Sequence, residues 1–152
     1  MKSKLKKGFT LIEILLVVGI TMTIALFTLP FLTSRVRQTD LEETVKGTIS
    51  QIIQYQQYAY AGNGNTAYGI SFSSDRYILF RGNSLISASI QETILLPTSI
   101  SISSINLTSG NEVVFAYQSF RPSVNGVIRF NLDSQNIDVS INSEGMIRYT
   151  RV

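Results

Sequence analysis

Hydrophobic and polar positions follow three successive regimes along this 152-residue chain. A lysine-rich start (Lys2, Lys4, Lys6, Lys7) ends at Gly8, and the run from Phe9 to Leu32 is apolar with Glu13 as its one charged residue. As a helix that run would measure about 36 Å, enough to cross a bilayer. Beyond it the period is 3.6: Leu41, Val45, Ile49, Ile52, Ile53 and Tyr60 fall on one face. Glu42 and Lys46 form an i,i+4 pair on the other side. Gly62-Asn63-Gly64-Asn65 predicts the end of the helix near Ala61, because glycine supplies the left-handed conformation on which helices stop. Pro30 removes a backbone donor inside this helix, and Gly47 weakens it.

After Asn65 the period becomes two. Tyr68, Ile70 and Phe72 alternate with small or polar residues, as do Ile128, Phe130 and Leu132, and Ile137, Val139 and Ile141. Such strands bury one face and wet the other. Further strands are predicted over 76–81, 99–107, 112–120 and 146–151, separated by turns such as Ser109-Gly110-Asn111 and Asn125-Gly126. Pro97 argues against a central strand in the segment before it. A helix followed by strands is the α+β pattern, here a long helix laid across an antiparallel sheet.

Composition removes most chemistry. Histidine and cysteine are absent, so the commonest metal ligands, the commonest general base and all disulfide chemistry go with them. Asp133 and Asp138 flank a turn, but the density of oxygen ligands that calcium loops show is missing. The chain reads as non-enzymatic, with no cofactor and no metal site. The formal charge of +3 comes from the start of the chain: without its four lysines, nine basic residues face ten acidic ones. No general positive field remains to attract nucleic acid.

Glu13 carries the functional reading. A carboxylate inside an apolar run is costly and points to a charged partner. The partner at hand is the amine that a cut between Gly8 and Phe9 would create. A basic leader, the glycine, the aromatic Phe9, Glu13 at fixed offset and the apolar run together resemble the type IV prepilins, which include the pseudopilins of type II secretion. The strands resemble more narrowly the GspH/FimT-like minor subunits, through Tyr68-Gly69-Ile70, Leu96-Pro97, Gly126-Val127-Ile128 and the closing Ile141-Asn142-Ser143-Glu144-Gly145-Met146-Ile147.

That resemblance implies a cleaved leader (1–8), a transmembrane and assembly helix (9–32), its extracytoplasmic continuation (33–62) and an antiparallel sheet domain (63–152). It implies processing at Gly8, N-methylation of Phe9, assembly through Glu13 and a loosening of the helix at Pro30. The partners implied are prepilin peptidase/N-methyltransferase, other pilin or pseudopilin subunits and the cytoplasmic membrane. The chain would be a single-pass protein with its N-terminus inside, in agreement with the position of the lysines. Two alternatives accompany this reading. One is a DNA-binding tip subunit for natural transformation: in Gly145-Met146-Ile147-Arg148-Tyr149-Thr150-Arg151, Gly145 and Arg148 match a Gly-Arg-X-Arg stretch that some FimT-like pilins use for DNA, while Met146 stands in the first arginine position. On a continuous strand Arg148 and Arg151 point to opposite faces, so DNA is not the favoured partner. The other alternative is a membrane-anchored protein that never assembles.

Overall fold

Helix α1, Leu11–Tyr60, is followed by a short 3-10 turn and eight strands. The computed structural model describes the backbone of residues 9–152 and the side chains of residues 9–25 and 39–152. The chain divides into two compact units, Met1–Arg37 and Gln38–Val152.

In the first unit the described side chains of α1 are apolar apart from Glu13, Thr21 and Thr23. Leu11, Ile12, Ile14, Leu15, Leu16, Val17, Val18, Ile20, Met22 and Ile24 are all exposed. The threonines in this stretch satisfy themselves: Thr21 donates to the carbonyls of Val17 and Val18, and Thr23 to that of Gly19 at 2.8 Å. Such back-bonding removes their polarity from the surface.

The second unit has one core. Leu41, Val45, Thr48, Ile52, Gln56 and Ala59 form the buried stripe of α1. The helix stops at Tyr60, and Gly62 turns the chain at φ 71°, ψ 24°. Four antiparallel strands make the first sheet: β1 (Tyr68–Phe72), β2 (Arg76–Arg81), β3 (Ile90–Leu95) and β5 (Glu112–Phe115), in the order β3-β2-β1-β5. The second sheet holds β4 (Ser101–Leu107), β6 (Gly126–Leu132), β7 (Gln135–Ile141) and β8 (Ile147–Arg151), in the order β4-β6-β7-β8. The alternating apolar residues of both sheets and the helix stripe meet in one cluster that includes Ile52, Ile70, Phe72, Phe115, Phe130 and Val139. The outer face of the first sheet has a small second cover. Phe80 lies over Gly69, where a Cβ would sit 2.2 Å from its ring, and Leu85 is tied down by Glu112 and Gln91.

The expected fold class, a membrane-spanning helix on an antiparallel sheet of pilin type, is corrected in two respects. Among the described residues no helix is long and apolar enough to cross a membrane. The apolar side chains described run from Leu11 to Ala25, about 22 Å of helix against a hydrocarbon core of about 30 Å, with Glu13 among them. From Asp40 onward, Glu42, Glu43 and Lys46 make α1 amphipathic. The single-pass placement in the cytoplasmic membrane, and the membrane-anchored alternative, rested on that span and are withdrawn with it. Second, the strands form two sheets rather than one. One helix stripe cannot cover the apolar faces of both sheets, and the two sheets cover each other's remainder in the common core.

Candidate assembly site

Thr10 starts α1 as its N-cap. The backbone N–H of Glu13 donates to the Thr10 hydroxyl at 3.4 Å and to its carbonyl at 3.1 Å. Thr10 and Glu13 thus occupy the two ends of a capping-box pattern. No return bond from the Thr10 N–H to the Glu13 carboxylate is formed, so the carboxylate stays exposed at the positive end of the helix dipole. Phe9 precedes the cap and is 81% exposed. This end of the chain combines a free carboxylate, an exposed aromatic and an apolar surface on every side of the helix. Gly8 lies outside the described residues, as does the side chain of Pro30, which falls within α1.

The two arginines of β8 are separated, as strand alternation requires. Arg148 stands opposite Ser140 and Arg151 opposite Ile137 in the β7 register. Arg151 donates to the carboxylate of Glu42 on α1, which also holds Lys46 at 2.8 Å and accepts from the Tyr149 hydroxyl at 3.4 Å. Arg148 lies on the other face, exposed. The Glu42–Arg151 link joins residues 109 apart in the chain, and no local pattern announces it. Lys46, then Arg151, hold the Glu42 carboxyl below its ordinary value of 4.5. A carboxyl depressed in the folded state contributes stability above its unfolded pKa and loses it as pH falls through the folded one. Glu42 is therefore expected to titrate below pH 4.5. Arg151→Ala should move the midpoint up while Lys46 still keeps it depressed; carboxyl-resolved NMR checks this, and an unmoved midpoint would refute the contact.

Asp138 is engaged by Arg129 across the β6–β7 pair through two bonds of 2.7 and 2.8 Å, which lower its pKa. Among the described residues no group of three metal-ligating side chains comes together. The tyrosines divide. Tyr55, Tyr58 and Tyr68 pack with ring centroids 5.5 to 6.0 Å apart, whereas Tyr60 leaves the group and stacks on Phe120 at 3.8 Å. Sequence reasoning missed Gln56. Its buried amide donates to the carbonyls of Phe120 (2.8 Å) and Gly145 (2.9 Å), tying two loops to the helix. Compared with known proteins, the chain matches no family model, no curated protein and no solved structure.

Proposed function

We propose that this chain is a structural minor subunit of a type IV filament, either a surface pilus or a type II secretion pseudopilus. Prepilin peptidase cuts between Gly8 and Phe9, Phe9 is methylated, and the processed helix joins neighbouring subunits. The observation that carries the reading is the exposed apolar surface from Leu11 to Ile24 with a single free carboxylate at its head. A helix apolar on every side has to be covered on every side, and copies packed side by side in a filament do that. In that packing Glu13 meets the amine of Phe9 on a neighbouring subunit. A carboxylate left buried without a partner is strongly disfavoured, so the pair selects one axial register.

DNA contact through β8 has less support. Phosphate binding that survives physiological salt needs several clustered cations. Arg151 is engaged by Glu42, and on the opposite face Arg148 is accompanied by Arg129, which Asp138 neutralises.

Intact-mass measurement of the protein from the cells that make it tests the proposal. The expected product begins at Phe9 and carries one added methyl group. A chain that still begins at Met1 would overturn it.

A further inference from the structure

We infer that the sheet domains of successive subunits pair head to tail, with the open edge of β3 on one copy added to the open edge of β8 on the next. The inference rests on the filament reading and specifies how the sheet domains meet.

Each sheet ends in two edge strands, and one edge in each is blunted. The outer side of β5 is taken by the segment after it, through the Phe115–Pro122 bridge and the bond from the Ser123 N–H to the Val114 carbonyl at 2.7 Å. The register of β4 slips at Ser103, which bends that edge. β3 and β8 carry neither device. Their ladders, six and five consecutive pairs, run without a shift, and nearly every residue on them is exposed. Ile90 on β3 is 57% exposed. A regular uncovered edge is a template for another strand, and sheets are commonly extended that way.

Charge selects the partner. β3 carries Glu92 and β8 carries Arg148; both are exposed, and neither forms an ion pair among the described residues. Pairing β3 with its own copy brings two glutamates together, and pairing β8 with β8 brings two arginines together. Like charges across a strand pair are destabilising and opposite charges stabilising. The favoured contact therefore joins two different edges. Such a heterologous contact leaves a free β3 at one end and a free β8 at the other, so it propagates. Set antiparallel with Glu92 across from Arg148, the pair brings Ile90 opposite Thr150. Glu92 shares its side of the first sheet with Leu79 and Tyr77, the core side, while Arg148 lies on the outer side of the second. The cores of the two copies then lie on opposite sides of the joined ribbon.

The absence of native cysteine makes cross-linking a clean test. Full-length protein carrying both Ile90→Cys and Thr150→Cys, treated in the producing cells with a short bismaleimide, should give a ladder of dimers, trimers and longer species. Either single variant should give none. Adding Glu92→Arg should reduce the ladder about fivefold, and adding Arg148→Glu as well should restore it. No ladder in cells whose protein begins at methylated Phe9 and forms filaments overturns the edge pairing and leaves the filament reading standing. Dimers from a single variant overturn the head-to-tail arrangement. Protein that keeps its leader overturns the filament reading and the pairing with it.

Discussion

Glu13→Leu should be cut after Gly8 and methylated on Phe9 normally, yet enter filaments about a hundredfold less than the unaltered chain, the scale set by stranding one member of a buried ion pair. The carboxylate is exposed in the isolated subunit, so the substitution costs the free helix little. On the proposed filament reading the cost falls on the assembled state, where the amine of a neighbouring Phe9 would be left without its counter-charge. A competing explanation exists, because Thr10 and Glu13 are placed as a capping box. Glutamine serves that motif as well as glutamate does. Glu13→Gln therefore separates the two roles: a cap would leave incorporation near normal, whereas a charge pair would lose it nearly as fully as Glu13→Leu does. Immunoblots of sheared filaments against whole cells measure both. Normal incorporation of Glu13→Gln would end the charge-pair mechanism.

What the sequence made legible follows from which residues repeat with a period. β1, β6 and β7 could be read because apolar side chains alternate with small or polar ones, and β2, apolar from Tyr77 to Phe80, because turn residues bound it on both sides; their ends fall within two residues of those patterns. β3 could not. Gln91, Glu92 and Thr93 are exposed because the strand lies at an edge, so the segment shows no alternation at all. The strand expected over 112–120 stops at Phe115, since Gln118 adopts φ 59° and its N–H turns back to the Ala59 carbonyl at 2.8 Å. On α1, Leu41, Val45 and Ile52 are buried as their spacing suggests, but Ile53 and Tyr60 are exposed while Thr48, Gln56 and Ala59 are buried in their place. A hydrophobic period cannot find Gln56, because what buries it is two loop carbonyls that arrive from 64 and 89 residues away. The same limit applied at the candidate site. Glu13 stood out as a lone charge in an apolar run, whereas the engagement of Arg151 by Glu42 depends on where β8 lands against the helix. The apolar run also led too far: its described side chains do not amount to a membrane span.

The largest effect on folding is expected from Gly126→Ala. Gly126 opens β6 at φ 153°, a conformation open in practice to glycine alone, so any side chain begins with a strain of about 1–3 kcal/mol. The added Cβ would then lie 2.0 Å from the Asn106 carbonyl oxygen and 2.8 Å from the Leu107 Cα, both backbone atoms. Neither can swing aside as a side chain would. β6 cannot retreat either, because it is an interior strand, hydrogen-bonded to β4 on one side and to β7 on the other. Moving it would disturb Ile128 and Phe130, both fully buried. Strain and overlap together should cost about 4 kcal/mol or more, a large part of the 5–15 kcal/mol that holds an ordinary domain folded. Gly110→Ala is the matched control. Its φ is also positive, at 62°, but nothing lies within 4 Å of the added Cβ, so only about 1 kcal/mol of backbone strain is expected. Thermal unfolding of the full chain followed by circular dichroism should show Gly126→Ala melting about 10 °C or more below the unaltered protein, and Gly110→Ala within a few degrees of it. Equal melting temperatures for the two variants would mean that β6 can yield, and that the pinning of its first residue between β4 and β7 does not hold the second sheet in place.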